Sequence, residues 1–294
     1  MLLCALCGSK KNYIHVLKIL YTNMEIKHLV LSIFLFATAI ESRAQNSEIL
    51  DSIAKRNVYH INWKRDAWGV GVGAGILGLG YFLELNADKL TEEGLTALDK
   101  ASVKRFDRGA IGNYSTSSQK ISDIMLFTCI ALPVTTFITQ KGKIETKTVP
   151  IMVFEAYTIN GGITSTMKAL FKRYRPYTYN SNLTVQQRVT RSARESFPSG
   201  HVSNTAVASF LTARIFTDLY PDTKLKPLIW GTAAAIPAVT GYLRYKAGRH
   251  FPTDIIAGYA IGATIGYLVP GFHKSKNMSL TVSPNGATGV VITF

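Results

Sequence analysis

The chain has 294 residues, of which 47% are hydrophobic and 17% are charged, whereas ordinary soluble proteins carry about 25% charged residues. This composition excludes an intrinsically disordered chain and argues against a typical cytosolic enzyme, but it suits a helical membrane protein with polar loops. The formal charge of +15 comes without an arginine-rich tract between aromatic residues. We therefore expect anionic lipid or phosphate ligands and no nucleic-acid partner.

Residues 1–44 are predicted to be an N-terminal extension that contains a signal peptide. The apolar run Leu29–Ile40 is too short to cross a bilayer, which needs about 20 residues. Ser42 and Ala44 place small residues where a signal peptidase cleaves. An uncleaved membrane anchor is the alternative, and a polar segment is expected over 45–66. The three cysteines of the chain predict neither a disulfide framework nor a four-ligand zinc site.

Six apolar segments follow, and most have the length of a membrane span: Ala67–Leu85, Ile121–Thr139, Thr148–Phe171, Ser203–Tyr220, Leu228–Tyr245 and Asp254–Gly271. They predict an all-α fold, a bundle of about six mostly membrane-spanning helices; a soluble helical bundle is the alternative. Gly258 and Gly262 match the small-xxx-small pattern of close helix packing in membranes. The charged loop 86–120 contains Leu90–Phe106, for which we predict an amphipathic helix.

The C-terminal tail, residues 273–294, has a different pattern from the helical region 67–272. Asn285 and Gly286 lie between runs that are rich in β-branched residues. This arrangement is typical of a hairpin turn, and it predicts a short C-terminal β-hairpin.

Lys168, Arg175 and Pro176 form the first of three polar motifs. The two cations are seven residues apart, so on a continuous helix they would share one face. Pro176 disfavours the helical conformation at Arg175, which predicts that the helix ends there. A basic pair at a membrane boundary is also typical of a topology anchor, and that alternative stays open for this motif alone.

The second motif is Pro198-Ser199-Gly200-His201, directly before an apolar run. A helix that begins here exposes free backbone N–H groups, and its dipole favours an anion. Gly200 lets an oxyanion approach the backbone closely, and His201 would lie in the first turn. Taken alone, Ser199 could equally be a simple N-cap.

Arg244, His250 and Asp254 make up the third motif, at the end of one apolar segment and the start of the next. His250 and Asp254 are four residues apart, so on a helix the carboxylate would hold the imidazole. A pair without any chemistry is the alternative for this motif alone. Together, the three motifs bring cations, a helix N-terminus and two histidines to helix ends, which indicates phosphoryl transfer through a histidine.

These motifs resemble the type 2 phosphatidic acid phosphatase superfamily, which also contains vanadium haloperoxidases and bacterial acid phosphatases. The family pattern is a lysine, six residues and Arg-Pro; then Pro-Ser-Gly-His; then Ser-Arg, five residues, a histidine, three residues and an aspartate. The resemblance covers roughly 67–272, which we expect to be the catalytic domain. Leu243 stands where the family has serine, and this departure puts the fine geometry of substrate binding in question.

The resemblance implies a role for each matching residue. Phosphate oxygens would be bound by one set of groups: Lys168, Arg175, Ser199, Gly200 and Arg244. His250 would be the nucleophile that forms a phosphohistidine, Asp254 would orient it, and His201 would protonate the leaving oxygen. The resemblance implies no metal ion and no cofactor for this reaction, because fixed cations offset the phosphate charge.

Several functions fit this pattern. The first is dephosphorylation of a lipid phosphate or pyrophosphate, with phosphatidate-type lipids, polyprenyl pyrophosphate and lipid A as candidates. A soluble, periplasmic, non-specific acid phosphatase is the alternative. A vanadate-dependent haloperoxidase is less favoured, because the segments are membrane-like and the chain is short. An inactive membrane scaffold is less favoured, because every catalytic position of the pattern holds the expected residue. The sequence leaves the oligomeric state open.

Lysines in the loops between the apolar segments predict the orientation in the membrane. Lys141, Lys143, Lys147, Lys224, Lys226, Lys274 and Lys276 lie at one end of the predicted bundle. The positive-inside rule places that end in the cytoplasm. We therefore expect an inner-membrane protein with a periplasm-facing site, or else a periplasmic protein. This orientation conflicts with the predicted signal peptide, because it places 45–66 inside. Three alternatives stay open: the signal is not an export signal, the Gly-rich segment Ala67–Leu85 does not span the membrane, or the bundle is not inserted conventionally. We favour an outward-facing site and a first segment that does not span.

Overall fold

The computed structural model describes residues 58–86 and 90–275, together with the backbone of two strands in the tail. All described residues belong to one compact unit, Arg56–Phe294. The predicted signal peptide and residues 45–57 lie outside the described residues. Those predictions, and the domain boundaries, stay predictions.

The described residues form a mainly helical structure with a two-stranded tail. The α-helices are α1 (Trp63–Leu85), α2 (Glu92–Thr96), α3 (Thr116–Ile130), α4 (Gln140–Ile144), α5 (Thr148–Phe171), α6 (Val185–Arg188), α7 (Gly200–Leu219), α8 (Lys226–Lys246) and α9 (Pro252–His273). Short 3-10 segments are Lys100–Ser102, Arg108–Ala110, Leu132–Ile138 and Pro176–Tyr179. Five of the six predicted apolar segments coincide with a long helix, and the second one spans α3 and the 3-10 segment Leu132–Ile138. This agreement confirms the all-α prediction.

The tail contains strands β1 (Asn277–Val282) and β2 (Thr288–Thr293), which pair in antiparallel register. Asn277 lies opposite Thr293, and Val282 lies opposite Thr288. The two strands lie where the sequence predicts the hairpin.

Three helical stretches in the described part are long and apolar enough to cross a membrane, by length and composition alone: Trp63–Leu85, Thr116–Ile138 and Pro252–His273. Most of each apolar window is not buried by the rest of the protein. Helices α5, α7 and α8 do not meet the same criterion. Helix α7 lies in the centre, with buried residues along its whole length. A central helix does not need a lipid-facing surface, so its sequence can carry more polar residues.

The main core lies between α5, α7 and α9. Its buried members are Tyr59, Val149, Met152, Ala156, Val207, Leu211, Ile215, Leu219, Ile265 and Val269. Burial of these apolar side chains holds together the beginning of α5, the second half of α7 and the end of α9.

Helices α7 and α9 pack closely and run in the same direction. A Cβ atom on Gly258 would lie 2.5 Å from the Ser199 carbonyl oxygen, and one on Gly262 would lie 2.1 Å from the Ser203 oxygen. Any larger residue would therefore push the two backbones apart. This contact confirms the predicted small-xxx-small packing. It also places the beginning of α7 beside the beginning of α9, where the second and third motifs lie.

The prediction of one amphipathic helix over Leu90–Phe106 is wrong. The segment contains only the short helix α2 and a 3-10 turn. Thr91 caps the first by accepting a hydrogen bond from Gly94, and Asp99 caps the second in the same way. These side-chain caps start a new turn each time, so the helix does not continue. The apolar residues Leu90, Leu95 and Val103 are nevertheless buried.

Candidate active site

The first motif lies where α5 ends. Lys168 is in the last turn, and Lys172 caps the helix in the left-handed region with φ 44°. Arg175 is extended, with φ −78° and ψ 153°, and is only 7% exposed. The prediction that Lys168 and Arg175 share one helical face is therefore wrong, because the helix ends at Phe171, before Arg175 is reached.

The second motif forms the beginning of α7. Ser199 is at the N-cap position, but its hydroxyl makes no capping hydrogen bond, so the simple N-cap interpretation does not hold. Its backbone N–H donates to the Asp254 carbonyl at 3.0 Å. A Cβ atom on Gly200 would lie 3.4 Å from Lys168 Nζ. The ammonium of the first motif therefore lies beside the N-terminus of α7.

A carboxylate from α3, which the sequence analysis missed, joins His201 to Arg244. Asp123 Oδ1 lies 2.8 Å from His201 Nε2 and accepts a hydrogen bond from Arg244 Nη1 at 3.0 Å. Arg244 also donates to Ser122 Oγ at 3.2 Å. The available signal was a lone acidic residue in an apolar segment, which is costly in a membrane and commonly functional.

His250 lies just before α9, which begins at Pro252. Its Nδ1 lies 2.8 Å from the Ser196 carbonyl oxygen and 3.8 Å from Asp254 Oδ2. The predicted helical contact, in which Asp254 holds the imidazole directly, is not formed, because His250 is outside the helix. A carbonyl only accepts, so Nδ1 carries the proton and Nε2 carries the free lone pair.

The imidazole of His250 is almost completely buried, with 1% exposure. Burial and the nearby guanidinium groups of Arg175 and Arg244 hold its pKa well below the usual range. Both effects disfavour the positive imidazolium. His250 is therefore a neutral imidazole with a free ring nitrogen at neutral pH, which is the form that can act as a nucleophile.

Asp254 belongs to a buried ionic network. Its Oδ2 accepts hydrogen bonds from Ser196 Oγ at 2.6 Å and from the Phe251 N–H at 2.8 Å. Its Oδ1 pairs with Arg173, whose Nη2 lies 2.8 Å from Asp107 Oδ2. Both carboxylates are fully buried. The network ties the start of α9 to the loops on either side, and Ser196, Arg173 and Asp107 have no place in the sequence motifs.

Within the three motifs, three buried polar side-chain atoms have no hydrogen-bond partner among the described residues: Arg175 Nε, Ser199 Oγ and Arg244 Nε. Buried donors normally find an acceptor, because an unpaired one is costly. Donors of this kind, next to Lys168 Nζ and the N-terminus of α7, can bind an anion with several oxygens. The structure thus brings the residues of all three motifs to one end of the bundle.

Residues 150–278 match the family model described as the PAP2 superfamily. Phosphatidylglycerophosphatase B of Bacillus subtilis (strain 168) is 35% identical over 80 residues, which cover 27% of this chain and 39% of that protein. Lipid A 4'-phosphatase of Porphyromonas gingivalis is 32% identical over 107 residues, covering 36% of this chain and 42% of the relative. The matches thus span about two fifths of the length of these relatives.

A solved structure is also similar. It is described as the first transmembrane PAP2 type phosphatidylglycerolphosphate phosphatase from Bacillus subtilis. The comparison covers 83% of this chain and 96% of that one, with 21% identity and a TM-score of 0.40.

Proposed function

Because residues 150–278 belong to the PAP2 superfamily, we propose that the protein is a phosphatase that hydrolyses a phosphorylated lipid. One observation carries the proposal: buried donors without partners, on Arg175, Ser199 and Arg244, lie at the helix ends where His250 presents a neutral imidazole. The pattern supports binding of a phosphate group beside a nucleophilic nitrogen. Both relatives described above are named as lipid phosphatases.

In the proposed reaction, His250 Nε2 attacks phosphorus while the bond between phosphorus and the leaving oxygen breaks. Nδ1 keeps its proton because it donates to the Ser196 carbonyl. His201 gives its proton to the leaving oxygen. A water molecule then attacks phosphorus and gives one proton back to His201, the bond from nitrogen to phosphorus breaks, and inorganic phosphate is released. Charge on the transferring phosphoryl group is stabilised by fixed cations and donors: Lys168, Arg175, Ser199, Gly200 and Arg244.

Asp123 has a supporting place in this proposal. Its carboxylate holds His201 and Arg244 together through one oxygen atom. This contact aims the ring of the proposed general acid towards the cation that would bind phosphate. A phosphate dianion bound to Arg244 would compete with Asp123 for the same guanidinium, and the Asp123 carboxylate would then keep His201 as its partner.

A lipid substrate is favoured over a soluble ester by the apolar surface of the described helices. Three stretches have the length and composition of membrane spans. Helix α1 also exposes large side chains: Trp63, Trp68, Phe82 and Leu85. The alternative of a soluble acid phosphatase leaves this surface without a partner. We place the protein in the inner membrane of a bacterial-type cell envelope.

The basic residues support a periplasm-facing site. Lys141 donates to the Leu219 carbonyl at 3.1 Å, and Lys274 pairs with Asp218 at 2.9 Å. Both lysines therefore lie at the end of α7, whereas the proposed site lies at its beginning. The positive-inside rule places the lysine end in the cytoplasm. Topology reporters fused at residues 185 and 248 should report a periplasmic location. Fusions that report a cytoplasmic location would contradict this orientation.

Hydrolysis by the purified, detergent-solubilised protein tests the function. We expect phosphate release from a phosphatidate-type lipid in mixed micelles, inhibition by vanadate and no immediate loss of activity after addition of EDTA. His250→Ala should abolish turnover on every substrate and prevent covalent labelling by a radiolabelled lipid phosphate. Extraction without detergent, with hydrolysis of soluble esters alone, would favour the soluble acid phosphatase instead.

A further inference from the structure

A second group of ionisable side chains lies at the other end of the bundle. Asp66 of α1, Glu155 of α5 and His273 of α9 are all buried, and their ligand atoms lie within 4.8 Å of one another. His273 ends α9 whereas Asp254 is in its first turn, so the two lie roughly 28 Å apart at 1.5 Å per residue. The proposed phosphatase site makes no use of this cluster.

The three side chains present lone pairs to one another. His273 Nδ1 lies 2.9 Å from the Val269 carbonyl oxygen and so carries the ring proton. His273 Nε2 is then an acceptor, and it lies 3.3 Å from Asp66 Oδ1 and 3.4 Å from Glu155 Oε2. Neither Nε2 nor Glu155 Oε2 has a hydrogen-bond partner among the described residues, and His273 is 0% exposed. Acceptors buried face to face repel unless a positive group lies between them.

We propose that Asp66, Glu155 and His273 bind a divalent transition-metal cation of the Zn²⁺ class. Zinc bonds to imidazole nitrogen and carboxylate oxygen are about 2.0–2.1 Å long, so neighbouring ligand atoms of a tetrahedral site are about 3.3–3.4 Å apart. The two distances from His273 Nε2 have these values. The bond from Nδ1 to a backbone carbonyl also orients the ring as in many metal-binding histidines.

A shared proton is the competing explanation, and the distances argue against it. A charge-assisted N–H···O bond is about 2.7–2.9 Å long. Both contacts of His273 Nε2 exceed that length by several tenths of an ångström. The charges agree with a cation, since among residues 58–86 and 90–275 the two carboxylates face one guanidinium, that of Arg65, which binds Asp66 Oδ1 at 2.7 Å. The imidazole ligand favours a transition metal over Mg²⁺ or Ca²⁺.

Local packing leaves room for the Glu155 carboxylate. A Cβ atom on Gly69 would lie 2.1 Å from Glu155 Oε1, so this carboxylate lies directly against the backbone of α1. The other carboxylate is fixed as well, because the Asn62 N–H donates to Asp66 Oδ2 at 2.8 Å. A bound cation would therefore link α1 to α5 and α9. Helix α1 lies outside residues 150–278, which match the family model. The cation would therefore bind α1 to the part of the chain that matches the family.

Metal content and thermal stability of the full-length protein in detergent test the site. The protein is stripped with a chelator, incubated with Zn²⁺ and desalted. We expect one zinc per chain by elemental mass spectrometry. The unfolding temperature should rise by on the order of 5–10 °C in Zn²⁺ at a hundredfold excess over the dissociation constant. Loading with Co²⁺ should give the visible absorption of a four-coordinate ion.

Single variants separate this site from adventitious binding. Glu155→Gln and His273→Gln should each lose the bound zinc and the thermal shift. Asp218→Asn is the matched control, because it removes another largely buried carboxylate at the same end, one that pairs with Arg214 and Lys274. It should keep both effects.

Two results would overturn the proposal. One is wild-type protein that binds no zinc and unfolds at the same temperature with and without it, because a proton would then hold the cluster. The other is zinc that both glutamine variants retain. Neither result depends on phosphatase activity, so failure of the metal site and failure of the proposed function are distinguishable.

Discussion

Replacement of Asp254 by asparagine separates charge from orientation at the proposed nucleophile. The His250 ring is oriented by the Ser196 carbonyl at 2.8 Å, and Asp254 Oδ2 lies 3.8 Å from the same ring nitrogen. Asp254→Asn therefore leaves the hydrogen bond that fixes the tautomer in place. What it removes is a negative charge beside an imidazole that becomes positive when it attacks phosphorus.

The size of the effect follows from the distance. Two unit charges separated by 3.8 Å interact by about 4 kcal/mol at an effective dielectric constant of about 20. The imidazole carries only part of a unit charge in the transition state, so we expect a loss of about 2–4 kcal/mol, or about 30- to 1,000-fold in kcat. The charge is absent before attack, so KM should change little.

The assay is steady-state hydrolysis of a lipid phosphate in mixed micelles, with the unfolding temperature measured for each variant. Asp107→Asn is the matched control, because Asp107 is the other fully buried carboxylate that binds Arg173. Both variants weaken the pairing of Arg173 and should lower stability to a similar degree. Only Asp254→Asn should lower kcat strongly.

Two outcomes would refute this reasoning. If Asp254→Asn retains the wild-type kcat, its charge does not act on His250. If Asp107→Asn lowers kcat as much as Asp254→Asn, the network of Arg173 contributes by positioning, and the electrostatic account is wrong.

Three further predictions concern pH, the leaving group and helix packing. In the pH profile of kcat/KM, the acid limb should lie below pH 6.5, because burial and nearby guanidinium groups lower the pKa of His250. Arg244→Gln removes one of these positive charges and should move the acid limb to higher pH. Arg244→Lys keeps the charge and should leave the limb in place. His201→Ala should lose about 10²–10⁴-fold on an alkyl lipid phosphate but far less on p-nitrophenyl phosphate, and equal losses would contradict a general-acid role. Gly262→Ala should lower the unfolding temperature, since its Cβ would lie 2.1 Å from a backbone oxygen of α7, and overpacking of this kind costs about 1–3 kcal/mol. The control is Gly271→Ala, whose Cβ meets nothing within 4 Å and which should leave stability unchanged. Equal stability of the two variants would contradict the close packing of α7 and α9.

The motifs could be found from the sequence because the residues of each motif lie within a short stretch of the chain. The helix ends then bring the three motifs together in space. Their detailed contacts could not, because a helix boundary falls inside two of the spacings. Between Lys168 and Arg175, α5 ends at Phe171 and the next residue adopts the left-handed conformation. Between His250 and Asp254, α9 begins at Pro252, and proline restricts the residue before it to extended conformations. Helical periodicity does not extend across either boundary.

The remaining partners come from distant parts of the chain, where sequence spacing carries no information about contact. Asp123 reaches the proposed site from α3, and Asp66 and Glu155 meet His273 from α1 and α5. These acidic residues nevertheless share one feature that is visible in the sequence, which is an acidic side chain in or beside an apolar segment. Desolvation of such a group is costly unless a cation, a proton or a donor compensates it. Each acidic residue of this kind therefore predicts a positively charged or proton-donating partner, even when the sequence does not identify that partner. Arg244 with His201 satisfies this condition for Asp123, and the proposed metal ion would satisfy it for Glu155.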